Sequence, residues 1–143
     1  MILVDASLLL FAVDRASPVH AVAARWLEAR LNRASPVGLP WQSIGAFLRI
    51  ATHPRASARP LSPHDAWTHV SEWLGCGVAW TPQPTERHAE VLGGLVSRYR
   101  VSANLVPDAM LAAVPIEHGL TICSADTDFA LFSEVRWENP VAP

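Results

Sequence analysis

Lysine is absent. All eleven basic residues are arginine, and against thirteen acids they leave a formal charge of −2. That balance excludes the broad basic coat of a non-specific DNA binder and leaves room only for local arginine patches. Cysteine is scarce: Cys76 and Cys123 stand far apart with no CxxC spacing. This argues against a zinc knuckle or a disulfide framework, and it fits a reducing cytoplasm. Cys123 lies in an apolar run and reads as a core residue. No apolar run is long enough to span a bilayer, so no membrane association is expected. Asp5 arrives almost at once with no basic segment before it, so no secretory leader is expected either. There is no GxSxG elbow, no GxxxxGK[ST] loop and no HExxH pair, and the six histidines are scattered. Those absences exclude the familiar serine-hydrolase, P-loop and zinc-protease chemistries.

What remains is a chain of 143 residues, half hydrophobic and 17% charged, enough for one domain over residues 1–143 with a real core. Short apolar runs alternate with helical periodicities. Ile2–Val4 is the first strand, and a turn or two of helix follows over Leu8–Val13. Ser17-Pro18 gives a capped helix start leading to about Leu31, with Val22, Trp26 and Leu27 on one face. Pro36–Leu39 is a short strand. Trp41–Thr52 has Ile44, Phe47, Leu48 and Ala51 at helical spacing, and His53-Pro54 stops it. Ser62-Pro63 opens a helix carrying Trp67, Val70, Trp73 and Leu74. Val78–Trp80 is a third strand. Thr85 caps a helix from Glu86 to about Tyr99. Asp108–His118 is helical up to the stop at Gly119, followed by the strand Leu120–Cys123 and a last strand at Val135–Trp137. This order predicts an α/β three-layer sandwich with a central, mostly parallel sheet flanked by helices. The tryptophans at 26, 67 and 73 sit at core spacing, which favours packing over base stacking.

The chemistry lies in the carboxylates. Asp5 follows the first strand, Asp126 and Asp128 follow Leu120–Cys123, and Asp108 opens a helix. If the two strands are parallel neighbours, Asp5 and Asp126 leave the sheet at the edge where open α/β sheets keep their ligands. Acids gathered there repel one another unless a cation sits among them, and such hard oxygen donors suit Mg²⁺ or Mn²⁺. Each acid also has a structural reading. Asp5 can cap the turn after the strand. Asp108 can serve the helix dipole, and Asp126 or Asp128 can cap the short run ending at Phe132. Arg49, Arg55 and Arg59 are either phosphate contacts or solvated side chains. Glu117 and His118 read as surface groups near a helix end.

Three segments carry a family likeness. They are Ile2-Leu3-Val4-Asp5-Ala6-Ser7-Leu8-Leu9, then Gly45 to Arg55, and the closing Asn104-Leu105-Val106-Pro107-Asp108-Ala109 with Glu117-His118-Gly119 and Ser124-Ala125-Asp126-Thr127-Asp128-Phe129. Together they resemble the PIN-domain ribonuclease toxins of the VapC type, and the tail Trp137-Glu138-Asn139-Pro140 resembles the mycobacterial branch. The resemblance implies a PIN fold and a Mg²⁺- or Mn²⁺-dependent endoribonuclease of a toxin–antitoxin pair. Its partners would be a cognate antitoxin and RNA, in a homodimer or a toxin–antitoxin hetero-oligomer. It maps catalytic and metal-binding roles onto Asp5, Asp108 and Asp126, makes Asp128 an outer or alternate ligand, and gives Ser7 and Ser124 a hydrogen-bonding role at the site.

Two features depart from the family pattern. The glutamate that many PIN domains carry before the Phe-x-Arg segment is replaced by Gly45-Ala46, which shifts duty to Asp128 or Glu117. Pro115 falls inside the run that begins with Asp108, where proline removes a backbone hydrogen bond and kinks or ends a helix. Both favour an alternative function, a catalytically weak PIN-fold module that binds antitoxin or RNA. A phosphatase with a nucleophilic aspartate is disfavoured, because Ser7 stands where that chemistry wants a second acid.

Overall fold

A computed structural model describes all residues, Met1–Pro143. Five short strands form one sheet in the order β3-β2-β1-β4-β5: β1 Ile2–Val4, β2 Val37–Gly38, β3 Ala79–Trp80, β4 Thr121–Cys123 and β5 Arg136–Glu138. Every pairing is parallel. Six helices connect them: α1 Ala6–Val13, α2 His20–Leu31, α3 Trp41–Ala51, α4 Pro63–Leu74, α5 His88–Tyr99 and α6 Val106–His118.

The strands are apolar on both faces because helices cover both. Ile2, Val4 and Cys123 belong to one buried cluster with Leu8, Phe47 and Trp73 of α1, α3 and α4. Leu3 and Ile122, pointing the other way, belong to a second with Leu95 of α5, Ala112 of α6 and Phe129. Successive strand residues thus serve opposite layers, as the two-residue period of a strand requires. The expected three-layer sandwich is present.

The order of connections creates the important crevice. The chain leaves β1 for β2 and β3 on one side, then returns through α5 and α6 to place β4 on the other side of β1. β1 and β4 are therefore the neighbours between which the winding reverses, and ligand sites form beyond their carboxyl ends.

Several boundaries differ from expectation. The first helix begins at Ala6, directly after Asp5. The second begins at His20, because Ser17 makes a turn first: its Oγ accepts from the Val19 amide at 3.3 Å and its carbonyl accepts from His20. Thr85 does not cap α5, which starts at His88. Ser62-Pro63 does open α4, with Ser62 Oγ accepting from the Asp65 amide at 3.1 Å. On α2 the inward residues are Ala23 and Leu27 rather than Val22, and Trp67 of α4 is 48% exposed. Pro115 neither ends nor shortens α6. The helix runs through it to His118, and Gly119, in the left-handed region at φ 68°, closes it by donating to the Pro115 carbonyl. The proline forgoes its own bond to the Leu111 carbonyl, but it lies in the last turn, so only the few residues up to His118 follow it.

Candidate active site

Each acid reaches the crevice by a local rule. β1 ends at Val4, paired with Cys123, so Asp5 and Ser124 leave the sheet side by side. Asp5 occupies the N-cap position of α1, yet its side chain makes no cap bond. Its Oδ2 instead accepts from two hydroxyls, Ser124 Oγ at 2.6 Å and Ser7 Oγ at 2.9 Å. Both serine protons are directed at the carboxylate, so the 3.3 Å approach of the two Oγ atoms is a contact and not a further hydrogen bond. Asp5 Oδ1 is left without a protein donor. The turn-capping role for Asp5 is therefore not the one it plays.

Ser124 is fully buried and joins the two strand ends. Its Oγ also accepts from the Asp126 amide at 3.0 Å, and its carbonyl accepts from Trp137 Nε1 at 3.0 Å. The indole of β5 is a positioning group that the sequence pattern did not single out, since nothing local marks a tail tryptophan as a partner of Ser124. Asp126 does cap the 3₁₀ turn Thr127–Leu131, its Oδ1 accepting from the Asp128 amide at 2.8 Å. That bond orients its carboxylate as well as stabilising the turn. Asp108 sits in the first turn of α6, two positions after Val106, with Pro107 setting the helix start.

These placements bring Asp108, Asp126 and Asp128 together. One carboxylate oxygen from each lies within 4.8 Å of the others. Asp5 stands outside that trio, but its charge still reaches Asp108. Burial, then the charges of Asp126, Asp128 and Asp5, push the Asp108 carboxyl from 3.8 up to about 6. No basic side chain forms an ion pair with any of the four. The donor set, all hard oxygens with unbalanced negative charge, fits a small divalent cation.

Two expected helpers do not join. Glu117 is nine residues beyond Asp108 on α6, about 13 Å along the axis. Its side chain has no exposed surface. It accepts from the Thr85 amide at 2.8 Å, Thr85 Oγ1 at 2.7 Å and His88 Nδ1 at 2.7 Å. It is a clasp between α6 and the entry to α5, neither a surface group nor a substitute for the missing glutamate. Arg49 is exposed on α3 with no ion pair. Gly45 is exposed too, with open space where a side chain would project.

The arrangement of Ser124 makes a direct prediction. Ser124→Ala removes both the donor to Asp5 and the acceptor for Asp126. Losing such an orienting group costs roughly 10- to 100-fold in metal affinity and about 1 kcal/mol of stability. Parallel urea unfolding and Mn²⁺ titration check it, and an unchanged Mn²⁺ affinity would remove the role assigned to this hydroxyl.

A family model for the PIN domain matches residues 2–135. The chain belongs to the PIN-domain family. Ribonuclease VapC37 of Mycobacterium tuberculosis is 42% identical to this PIN domain over 142 residues, covering 99% of each chain. Ribonuclease VapC33 of the same species is 37% identical over 141 residues, again 99% of each. Among solved structures, VapC20 of M. tuberculosis, described as a sarcin–ricin loop cleaving toxin, superimposes with a TM-score of 0.68 at 21% identity, covering 95% of this PIN domain and 99% of that chain. A chain of VapBC2 from Rickettsia felis, solved on promoter DNA, gives a TM-score of 0.71 at 11% identity, with 97% and 98% covered. At those identities the two structures show a shared fold.

Proposed function

We propose that this PIN domain, acting as one domain over residues 1–143, is an endoribonuclease toxin of a toxin–antitoxin pair that hydrolyses RNA phosphodiester bonds with Mg²⁺ or Mn²⁺. The observation that carries the proposal is the trio Asp108, Asp126 and Asp128, converging without a basic partner at the β1/β4 crevice. The names of its relatives, ribonucleases VapC37 and VapC33, supply the substrate class.

In this reading Asp108, Asp126 and Asp128 hold the cation, and Asp5 completes the catalytic set from the neighbouring strand with its free Oδ1. When bound, a hard divalent cation supplies charge neutralisation and Lewis-acid polarisation of a phosphodiester. The residues of the chain supply placement. Ser7 and Ser124 fix the plane of the Asp5 carboxylate, the cap bond to the Asp128 amide fixes Asp126, and the start of α6 fixes Asp108. Water adds to phosphorus and the leaving ribose oxygen departs with a proton. Single-stranded loops are the accessible targets, because their bases can be splayed out.

The partner, a cognate antitoxin, is the one implied by the toxin family that the sequence resembles. The apolar groove beside the end of α1, walled by Leu10, Phe11, Phe47, Ile50 and Leu61 and about 730 Å³ in volume, would seat an antitoxin segment. An antitoxin arginine entering the acids would pair with them. No helix is long and apolar enough to cross a membrane, consistent with action in the cytoplasm. The weak binding-module reading keeps one support, the pair Gly45-Ala46 where the family's glutamate is expected. It loses the other, since α6 is continuous through Pro115.

The test is cleavage of total RNA by purified protein. We expect cleavage with Mg²⁺ or Mn²⁺, its loss with EDTA, and recovery when Mn²⁺ is returned in excess. Cleavage that persists in EDTA would sink the metal-dependent reading.

A further inference from the structure

The proposed site would hold a cation and a phosphate, but its acids offer no surface on which a base could stack. The neighbouring strand end offers one. β1 and β2 pair Leu3 with Gly38. Continuing that register two residues sets Asp5 level with Pro40, and Trp41 follows as the first residue of α3. Asp5 and Trp41 thus follow neighbouring parallel strands at the same edge of the sheet. Trp41 is 48% exposed, so its ring is open to a partner from solvent.

Trp41 is not isolated. Ser43, Ile44, Phe47 and Ala51 form the buried face of α3. Trp41, Gly45 and Arg49 follow one another at four-residue steps, which places them on a single row, and all three are exposed. A Cβ at Gly45 would meet nothing within 4 Å, so the middle of the row is low and open. Arg49 lies about 12 Å along the axis from Trp41 and has no ion-pair partner. α3 contains no acid, so nothing on it repels a phosphate. The apolar groove takes Phe47, Ile50 and Ala51 from another side of α3, which keeps this row apart from it.

We infer that the row Trp41-Gly45-Arg49 is the track on which single-stranded RNA approaches the acids, with a base stacked on Trp41 and a phosphate held by Arg49. The inference rests on the ribonuclease function proposed above and adds the contact that function lacks. Stacking on tryptophan accepts any base, so Trp41 contributes affinity and register more than sequence choice. Arg49 contributes a salt-dependent electrostatic contact. Glycine between them lets the sugar–phosphate chain pass close to the helix.

The experiment measures binding of a fluorescein-labelled, mixed-sequence 12-nucleotide single-stranded RNA by anisotropy in EDTA, so that no cleavage intervenes. Trp41→Ala should weaken binding roughly 10-fold, while Trp41→Phe keeps most of it. Arg49→Ala should also weaken binding and lower the slope of log affinity against log salt by about 0.7. Both positions are exposed, and circular dichroism confirms that the variants fold. If the wild type binds and Trp41→Ala binds equally well, the track is wrong and the nuclease proposal stands. If Trp41→Ala binds RNA normally but loses the cognate antitoxin, the row is a protein contact and the inference is overturned. If the wild type neither binds nor cleaves RNA with Mn²⁺ present, the function itself fails and takes the track with it.

Discussion

Asp108→Asn is expected to abolish RNA cleavage while making the metal-free protein more stable at neutral pH. The two effects have one cause. Asp108 is the acid on which burial and the charges of Asp126, Asp128 and Asp5 all act, and they hold its carboxyl at about 6 instead of 3.8. Because the folded value is the higher one, the folded state keeps a proton that the unfolded chain has released. The associated stability is fully present below pH 3.8 and is lost as pH rises through about 6. Taken at face value, two pH units correspond to about 3 kcal/mol. Asp108 is half-buried, and solvent screening reduces this to about 1 kcal/mol. Asparagine has nearly the same shape and no charge, so it escapes the penalty. Melting in EDTA should therefore show the wild type losing stability between pH 5 and 7.5 relative to Asp108→Asn. Excess Mn²⁺ should restore the wild type alone.

The activity loss should exceed about 100-fold, since even groups that merely orient metal ligands cost 10- to 100-fold. A variant that still cleaves at the wild-type rate would remove Asp108 from the site. A variant that loses activity but is less stable than the wild type at pH 7.5 would mean that Asp108 supports the fold instead of straining it. This opposition between stability and function is the signature of a site built for a cation.

Much of this arrangement was legible in the chain. The five strands were marked by short apolar runs, and their parallel order followed from the alternation with helices. Asp5 and Asp126 were assigned to one sheet edge because each follows a strand. Their actual link was not legible: it depends on the register that places Asp5 beside Ser124, and only pairing of the strands sets that. The emphasis among the acids also moved. Asp128, an outer or alternate ligand by resemblance, falls in the converging trio while still exposed, because the 3₁₀ turn capped by Asp126 holds it beside that residue. Helix faces were harder than helix positions. In place of Val22, α2 buries Ala23, the residue four positions before Leu27 and so on the same face. Trp67 was placed in the core on spacing alone, but α4 already buries Ala66, Val70 and Trp73 on that face. Proline chemistry argues for a break at Pro115, yet the buried run Leu111–Pro115 holds α6 together until Gly119 ends it.

Glu117→Ala should be the most destabilising single change outside the hydrophobic core. Its side chain is fully buried yet accepts three hydrogen bonds from Thr85 and His88. Burial alone would raise its carboxyl, but the hydrogen bonds from His88 and Thr85 outweigh burial and bring it below 4.5. The folded state thus prefers the ionised form. The stabilisation is present above pH 4.5 and is lost as pH falls through the depressed value. Alanine would leave the Thr85 amide and hydroxyl and the His88 ring without their acceptor, at a cost of about 3 kcal/mol. Glutamine keeps one acceptor oxygen for Thr85 and should cost less, roughly 1–2 kcal/mol. Urea unfolding at pH 7 separates the two, and repeating it at pH 4 should narrow the gap between wild type and both variants. Cleavage per folded molecule should stay near the wild-type value, because the clasp lies about 13 Å along α6 from Asp108. A large fall in activity with stability intact would reverse the assignment and return Glu117 to the site.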